Sequence, residues 1–306
     1  MTTRGLIAVD KMGAKVLFLN PATYATEIVL DGFQRTVHEL LVLPEAGRAY
    51  VPIFGDGIHG RNPNPGHTLH VFDLTKRTRV ADIDLTPLIA PHTLKRGPDG
   101  LIYITCENSA VVAIIDPATN KVVGTIETGS TNAHRLIISP DGRRLFTENE
   151  EDATISVIDL AARKLLGHIK TPHPLAGIAI SADGRTLVAV DDAEPNLFLV
   201  DAENQHIRTV PLRGVPKPAQ IARYAEDFSL LAVSAVSCGF VSLIDPAFTE
   251  QTAIAVGSQP MDMAFRGTEL FVACQGDGSV HVIDIPARQW KASFSAGTGC
   301  ESLAFF

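Results

Sequence analysis

The chain has 306 residues, 45% of them apolar and 20% charged, with 26 basic against 34 acidic side chains and a net charge of −8. That length can bury a large core, and the acidic balance excludes nucleic-acid binding by bulk charge, which needs a basic face. No apolar run approaches the roughly 18 residues of a membrane span, and four cysteines make no disulfide framework.

The N-terminal segment lacks the long apolar stretch and small-residue cleavage site of a secretory signal, so a cytoplasmic protein is the expectation. The first element, Leu6-Ile7-Ala8-Val9-Asp10, reads as a strand. A phrase of β-formers closing on Asp or Asn before a turn first occurs at Phe18-Leu19-Asn20. It returns at Val71-Phe72-Asp73, Ile114-Ile115-Asp116, Val157-Ile158-Asp159, Leu199-Val200-Asp201, Leu243-Ile244-Asp245 and Val282-Ile283-Asp284. The steps between closing residues are 53, 43, 43, 42, 44 and 39, and from Asp284 through the chain end on to Asn20 is another 42. Seven copies close the count without remainder. Between them lie Pro44-Glu45-Ala46-Gly47, Pro98-Asp99-Gly100, Pro140-Asp141-Gly142 and Ala182-Asp183-Gly184, hairpin turns whose Gly accepts a positive φ. Each unit therefore reads as four short strands, a to d, at the ~40–45-residue spacing of propeller blades. The terminal segment Cys300 to Phe306 reads as a lone strand a, whereas the chain begins on strand b. The expectation is an all-β, seven-bladed β-propeller of four-stranded blades. It forms one domain over residues 1–306, its ring closed by the C-terminal strand joining the N-terminal blade.

The run Ser139-Pro140-Asp141-Gly142-Arg143-Arg144-Leu145-Phe146-Thr147-Glu148-Asn149, followed by Ala153-Thr154-Ile155-Ser156-Val157-Ile158-Asp159, resembles the YVTN-type β-propeller repeat. There a Ser-Pro-Asp-Gly turn leads to a Tyr-Val-Thr-Asn-like strand and then a Val-Ser-Val-Ile-Asp strand. Phosphogluconolactonase-like and YncE-like rings are related. The resemblance covers nearly the whole chain and implies the fold alone, because such repeats serve enzymes, binding proteins and surface proteins alike.

One column of the repeat stands out. Six residues before the turn proline or its equivalent, the blades in order carry Glu301, His38, His92, His134, Ala176, Ala219 and Met261. Glu301 and Met261 are aligned through the strand that follows, because their blades lack a clear turn. Strand a is innermost, so this column should ring the axis at one mouth of the channel. Three imidazoles and a carboxylate suit one divalent transition metal such as Mn, Fe, Zn or Ni. The alternative is a polar channel mouth, with histidines inherited by duplication bonding a neighbouring blade.

Other groups are expected on the same face. Glu107 and Glu148 end strand b in the blades of His92 and His134, as a general base or as acceptors for imidazole N–H groups. The second blade is about 11 residues longer than the others, and the surplus falls in a Gly/Pro/Asn-rich b–c loop from Phe54 to His67. That loop is a candidate lid carrying Arg61 and His67 as catalytic candidates and His59 as a substrate contact. Arg35, Lys217 and His173 are further substrate-binding candidates. The cysteines Cys106, Cys238, Cys274 and Cys300 fall on this face too, with small buried side chains as their default role.

Two functions follow. The first is a metal-dependent lyase or hydrolase acting on a small carboxylated or carbonyl substrate, with iron-dependent oxygen chemistry as its rival. In site geometry the column looks similar to oligogalacturonate lyases, which hold Mn(II) with three His and a Gln, and to carotenoid oxygenases, whose Fe(II) is held by four His. The second is a non-catalytic binding or scaffold propeller with a structural or metal-sensing His ring. The apolar half of the column, Ala176, Ala219 and Met261, favours the first because it leaves room for a ligand. A small-molecule substrate is thus the expected partner, with neither nucleic acid nor membrane.

Overall fold

The Asp or Asn that closes each repeat is a turn-former. Asp116 Oδ1 accepts the Ala118 backbone N–H at 2.9 Å, and Asp201 Oδ1 accepts those of Glu203 and Asn204 at 2.9 Å. Asp73 does the same for Thr75 and Lys76, and Asn20 for Ala22 and Thr23. Side-chain capping of this kind pre-forms the link between two antiparallel strands, so the most regular residue of the sequence is structural. The computed structural model describes residues 4–33, 36–57 and 61–306.

Seven four-stranded antiparallel sheets result, each in the sequential order a-b-c-d. The second blade, for example, comprises Leu41–Leu43, Arg48–Gly55, Pro65–Asp73 and Thr78–Asp84. The third comprises Pro91–Arg96, Ile102–Cys106, Val111–Asp116 and Lys121–Glu127, and the fourth Leu136–Ile138, Arg144–Glu148, Thr154–Asp159 and Lys164–Lys170. Turn glycines Gly47, Gly100, Gly142 and Gly184 have φ of 62°, 82°, 70° and 72°, the left-handed conformation for which Gly carries no Cβ penalty. Burial follows strand position. The third blade's Ile102–Cys106 is wholly buried, whereas outer strand Lys121–Glu127 exposes Lys121, Val123, Thr125 and Glu127 in alternation.

The ring closes as the termini suggest. Cys300–Phe305 pairs antiparallel with Leu6–Asp10, setting Phe305 opposite Leu6 and Leu303 opposite Ala8. Asp10 staples the seam, because its buried carboxylate accepts backbone N–H groups from Gly13 (3.0 Å), Thr298 (3.0 Å) and Gly299 (2.8 Å). No helix among the described residues is long and apolar enough to cross a membrane.

The long segment of the second blade differs from its expected form. Strand b runs through Gly55 and strand c already begins at Pro65, with Gly55 and Pro65 paired, so much of the surplus is strand. Among the described residues that follow, Asn62 Nδ2 donates to the Phe54 carbonyl at 2.8 Å, and the Asn64 backbone N–H donates to Asp56 at 3.1 Å, both within this blade.

Candidate metal centre

Most successive strands a touch around the axis, and the residue entering each one lines the channel. A cavity of about 260 Å³ opens there, with Glu301, His38, His92, His134, Ala176, Gln220 and Met261 as one ring. This is the column read from the sequence except in the sixth blade, where Gln220 lines the cavity and Ala219 is packed in the core. A second ring comes from the position nine residues before each closing Asp or Asn. It puts Lys11, Glu150, Val236 and Gln275 on the cavity wall. Phe54 completes the floor, its ring centroid 5.3 Å from that of His38 and 5.5 Å from that of His92.

Three histidines meet at the axis. His38 Nε2 and His92 Nε2 are 2.6 Å apart, and the His92 and His134 ring centroids are 3.6 Å apart. All three are nearly inaccessible to solvent. Their outward nitrogens are occupied. His38 Nδ1 lies 2.9 Å from Glu301 Oε1, and His92 Nδ1 lies 3.0 Å from Thr93 Oγ1. His134 Nδ1 lies 3.1 Å from Glu150 Oε2 and 3.3 Å from Glu107 Oε2. A carboxylate behind Nδ1, as at His38 and His134, is the arrangement that orients and strengthens metal-ligating imidazoles. His38, Glu39 and His92 each offer a ligand atom, all within 4.8 Å of one another.

Charge is distributed unevenly over the cluster. Burial lowers the pKa of His38 despite Glu301. Burial, with the neighbouring imidazoles, pushes His92 well below its usual value. Both rings are therefore neutral at pH 7. Burial also opposes charge on His134, but Glu150 and Glu107 outweigh it and raise the pKa to about 10. Glu301 is held down at about 2 although burial opposes this. The His38 imidazole beside it and then Lys11 hold it down, with Lys11 Nζ 2.9 Å from Oε2, and Gln275 Nε2 donates to the same carboxylate at 2.6 Å. On the far side of the histidines, Arg135 pairs with Glu39 at 2.7 Å across the channel.

The structure sorts the residues proposed from sequence. His38, His92 and His134 converge. Glu301 joins them differently from its expected role: it backs His38 through Nδ1, so its carboxylate lies behind the ring rather than beside the inward nitrogens. Glu107 reaches His134 as an acceptor. Glu148 does not face the cavity, because its carboxylate accepts the backbone N–H groups of Arg135 (3.1 Å) and Glu150 (3.0 Å). Burial, then Glu150, pushes its pKa up to about 8. His67 is exposed and paired with Asp84 at 3.2 Å, because it belongs to the extended strand c and not to a lid over the axis. Arg61 and Lys217 are exposed and outside the cavity wall. His173 is bound to Asp191 at 3.1 Å in its own blade and is also off the wall. Arg35 and His59 lie outside the described residues. The four cysteines are free and none lines the cavity; burial pushes Cys106 and Cys274 up to about 12. Sequence reading missed Glu150, Lys11, Gln275, Gln220 and the Glu39–Arg135 pair. The nine-residue count back from the closing Asp or Asn would have found the first three.

A closed propeller with a carboxylate-backed histidine cluster on its axis is the class defined by fold and site. The Cytochrome D1 heme domain family model matches residues 96–304, and the chain belongs to that family. A search of curated proteins finds no match. Among solved structures, the chain is similar to a functionally unknown protein from Desulfotomaculum acetoxidans, at 12% identity over 98% of both chains with a TM-score of 0.78. It is similar to the periplasmic gluconolactonase of Pseudomonas aeruginosa, at 18% identity over 98% of both chains with a TM-score of 0.75. It is also similar to the hydrazine synthase of Kuenenia stuttgartiensis, at 17% identity over 85% of this chain and 87% of that one, with a TM-score of 0.70. At such identities the likeness is one of fold.

The family name implies a haem, and the residues present do not fit one. The cavity of about 260 Å³ falls below the roughly 300–1,000 Å³ of pockets for drug-sized ligands. The histidine rings also lie against one another across the axis instead of framing a flat slot. Moreover His38 and His92 precede the matched segment.

Proposed function

We propose that the protein holds one divalent transition-metal ion among His38, His92 and His134 and uses it on a small carbonyl or carboxylated compound, as a hydrolase or lyase. The observation that carries this reading is the 2.6 Å approach of His38 Nε2 to His92 Nε2 with a carboxylate behind His38. At that separation the two nitrogens share a hydrogen bond, one ring donating and the other accepting. An ion bound at about 2.0–2.1 Å to each would replace that proton and part them, and nitrogen donors with hard-oxygen neighbours suit Mn, Fe, Zn or Ni. Such an ion supplies Lewis acidity toward a carbonyl or carboxylate oxygen.

The chain's own residues supply the rest. Glu301, Glu107 and Glu150 fix the imidazoles from behind. The opposite wall, Ala176, Val236 and Met261 with Gln220 and Gln259, leaves space beside the cluster and offers amides that hydrogen-bond hydroxyl or carbonyl groups. Lys11 and Arg135 also line the space, and both are matched by carboxylates.

A second reading, a propeller that carries or senses the metal without turnover, is favoured by one observation. The carboxylates at the cluster are committed to imidazoles, to Lys11 or to backbone N–H groups, which leaves none as an evident general base. The test is a panel of lactones, esters and β-eliminable uronates, offered to metal-stripped protein and to protein reloaded with each ion. Metal-dependent turnover that His92→Ala abolishes supports the enzyme. Tight metal binding without turnover on any class supports the carrier.

A further inference from the structure

Beyond the Glu39–Arg135 pair the channel widens again, toward the opposite ends of strands a, into a second cavity of about 170 Å³. Its wall mixes aliphatic side chains, Ile137, Ile178 and Ile180 among them, with three cations: Arg135, Arg223 and Lys95. Two are matched one to one. Arg135 pairs with Glu39 at 2.7 Å, and Arg223 pairs with Asp262 at 2.7 Å while donating to the Met263 carbonyl. Lys95 has no hydrogen-bond or ion-pair partner among the described residues, although it is half-buried near the end of Pro91–Arg96.

The cavity therefore holds one positive charge in excess. An ammonium in a low-dielectric space without a counter-charge is costly, and a second cation across the space adds repulsion. The Lys95 pKa reflects both: burial first, then Arg223, bring it down to about 8, and Glu39 and Asp262 offset this only in part. A bound anion would relieve both costs together. An ammonium point charge beside a planar guanidinium suits the oxygens of a carboxylate or phosphate. The volume accommodates only a few heavy atoms, given about 30 Å³ for one water.

We propose that this second axial cavity binds one small oxyanion, a short carboxylate or inorganic phosphate, between Lys95 and Arg223. The site is separate from the histidine cluster and does not depend on a metal there.

Calorimetric titration of the full chain at pH 7 and low ionic strength, with sodium acetate and with inorganic phosphate as probes, tests this. One saturable site is expected for at least one probe, and the better one names the anion class. Lys95→Met should weaken it about tenfold or more, as expected for a lost charge-assisted hydrogen bond. Lys95→Arg, which keeps the charge, should bind within about threefold of wild type, and this arm guards against a misfolded Met variant. His92→Ala should bind as wild type does. The absence of a saturable site for either probe, equal binding by Lys95→Met, or loss of binding in His92→Ala would each overturn the proposal.

Discussion

Glu301→Gln separates two roles that the residue could play. A carboxylate ligand contributes charge and a donor atom to the ion, so its loss is expected to abolish tight binding. A carboxylate behind His38 Nδ1 at 2.9 Å orients the ring and raises its basicity, and removal of such a partner costs about 10–100-fold in metal affinity, or about 1.4–2.7 kcal/mol. The amide can still accept from Nδ1, so the lower half of that range is expected. The variant also leaves Lys11 Nζ, 2.9 Å away, without its counter-charge. Stability should therefore fall as well, and metal affinity has to be read on protein shown to be folded. Competition titration with a chromogenic chelator, on wild type and variant side by side, gives the ratio. A loss beyond about a thousandfold would make Glu301 a ligand and refute the arrangement described; no loss would deny the metal any use of His38.

Three further outcomes follow from the same geometry. Glu150→Gln should weaken metal binding about tenfold or more through His134, whereas Glu148→Gln, whose carboxylate caps backbone N–H groups, should lower the unfolding midpoint in urea and leave metal affinity nearly unchanged. Asp10→Ala removes the acceptor of three backbone N–H groups at the closing seam and should cost about 2–4 kcal/mol by chemical denaturation, since orphaned buried donors cost about 1–3 kcal/mol each before relaxation. Glu301 has a folded-state pKa depressed from 4.5 to about 2, so its contribution to stability is present above pH 4.5 and is lost as pH falls toward 2. The stability gap between wild type and Glu301→Gln should narrow over that window, and a gap that widens on acidification would contradict the sign.

The blade count and the closing strand were legible because both rest on local turn chemistry, the Asp cap after strand c and the Gly after strand a, which recur whatever surrounds them. The histidine column was legible for the same reason, with one slip. In the sixth blade Phe228 occupies the left-handed turn position at φ 57° in place of Gly, so the turn was hidden and the column landed on Ala219 instead of Gln220. Glu148 was matched with Glu107 through a shared strand-end pattern. Counting back from Asp159 and Asp116 instead pairs Glu150 with Glu107, the two that reach His134. The role of Glu301 was not legible. Ligand and backing carboxylate share the same column, and only the ring nitrogen that faces the carboxylate tells them apart. The Glu39–Arg135 pair joins the entries to strands a of two blades, 96 residues apart, and no spacing rule reaches that far.

The most direct measurement is elemental analysis of protein purified without a metal-affinity tag, beside His92→Ala. Near one equivalent of a single transition metal in wild type, lost in the variant, is the expected result. Wild-type protein that carries no metal and takes up none of Mn, Fe(II), Zn or Ni would contradict the account.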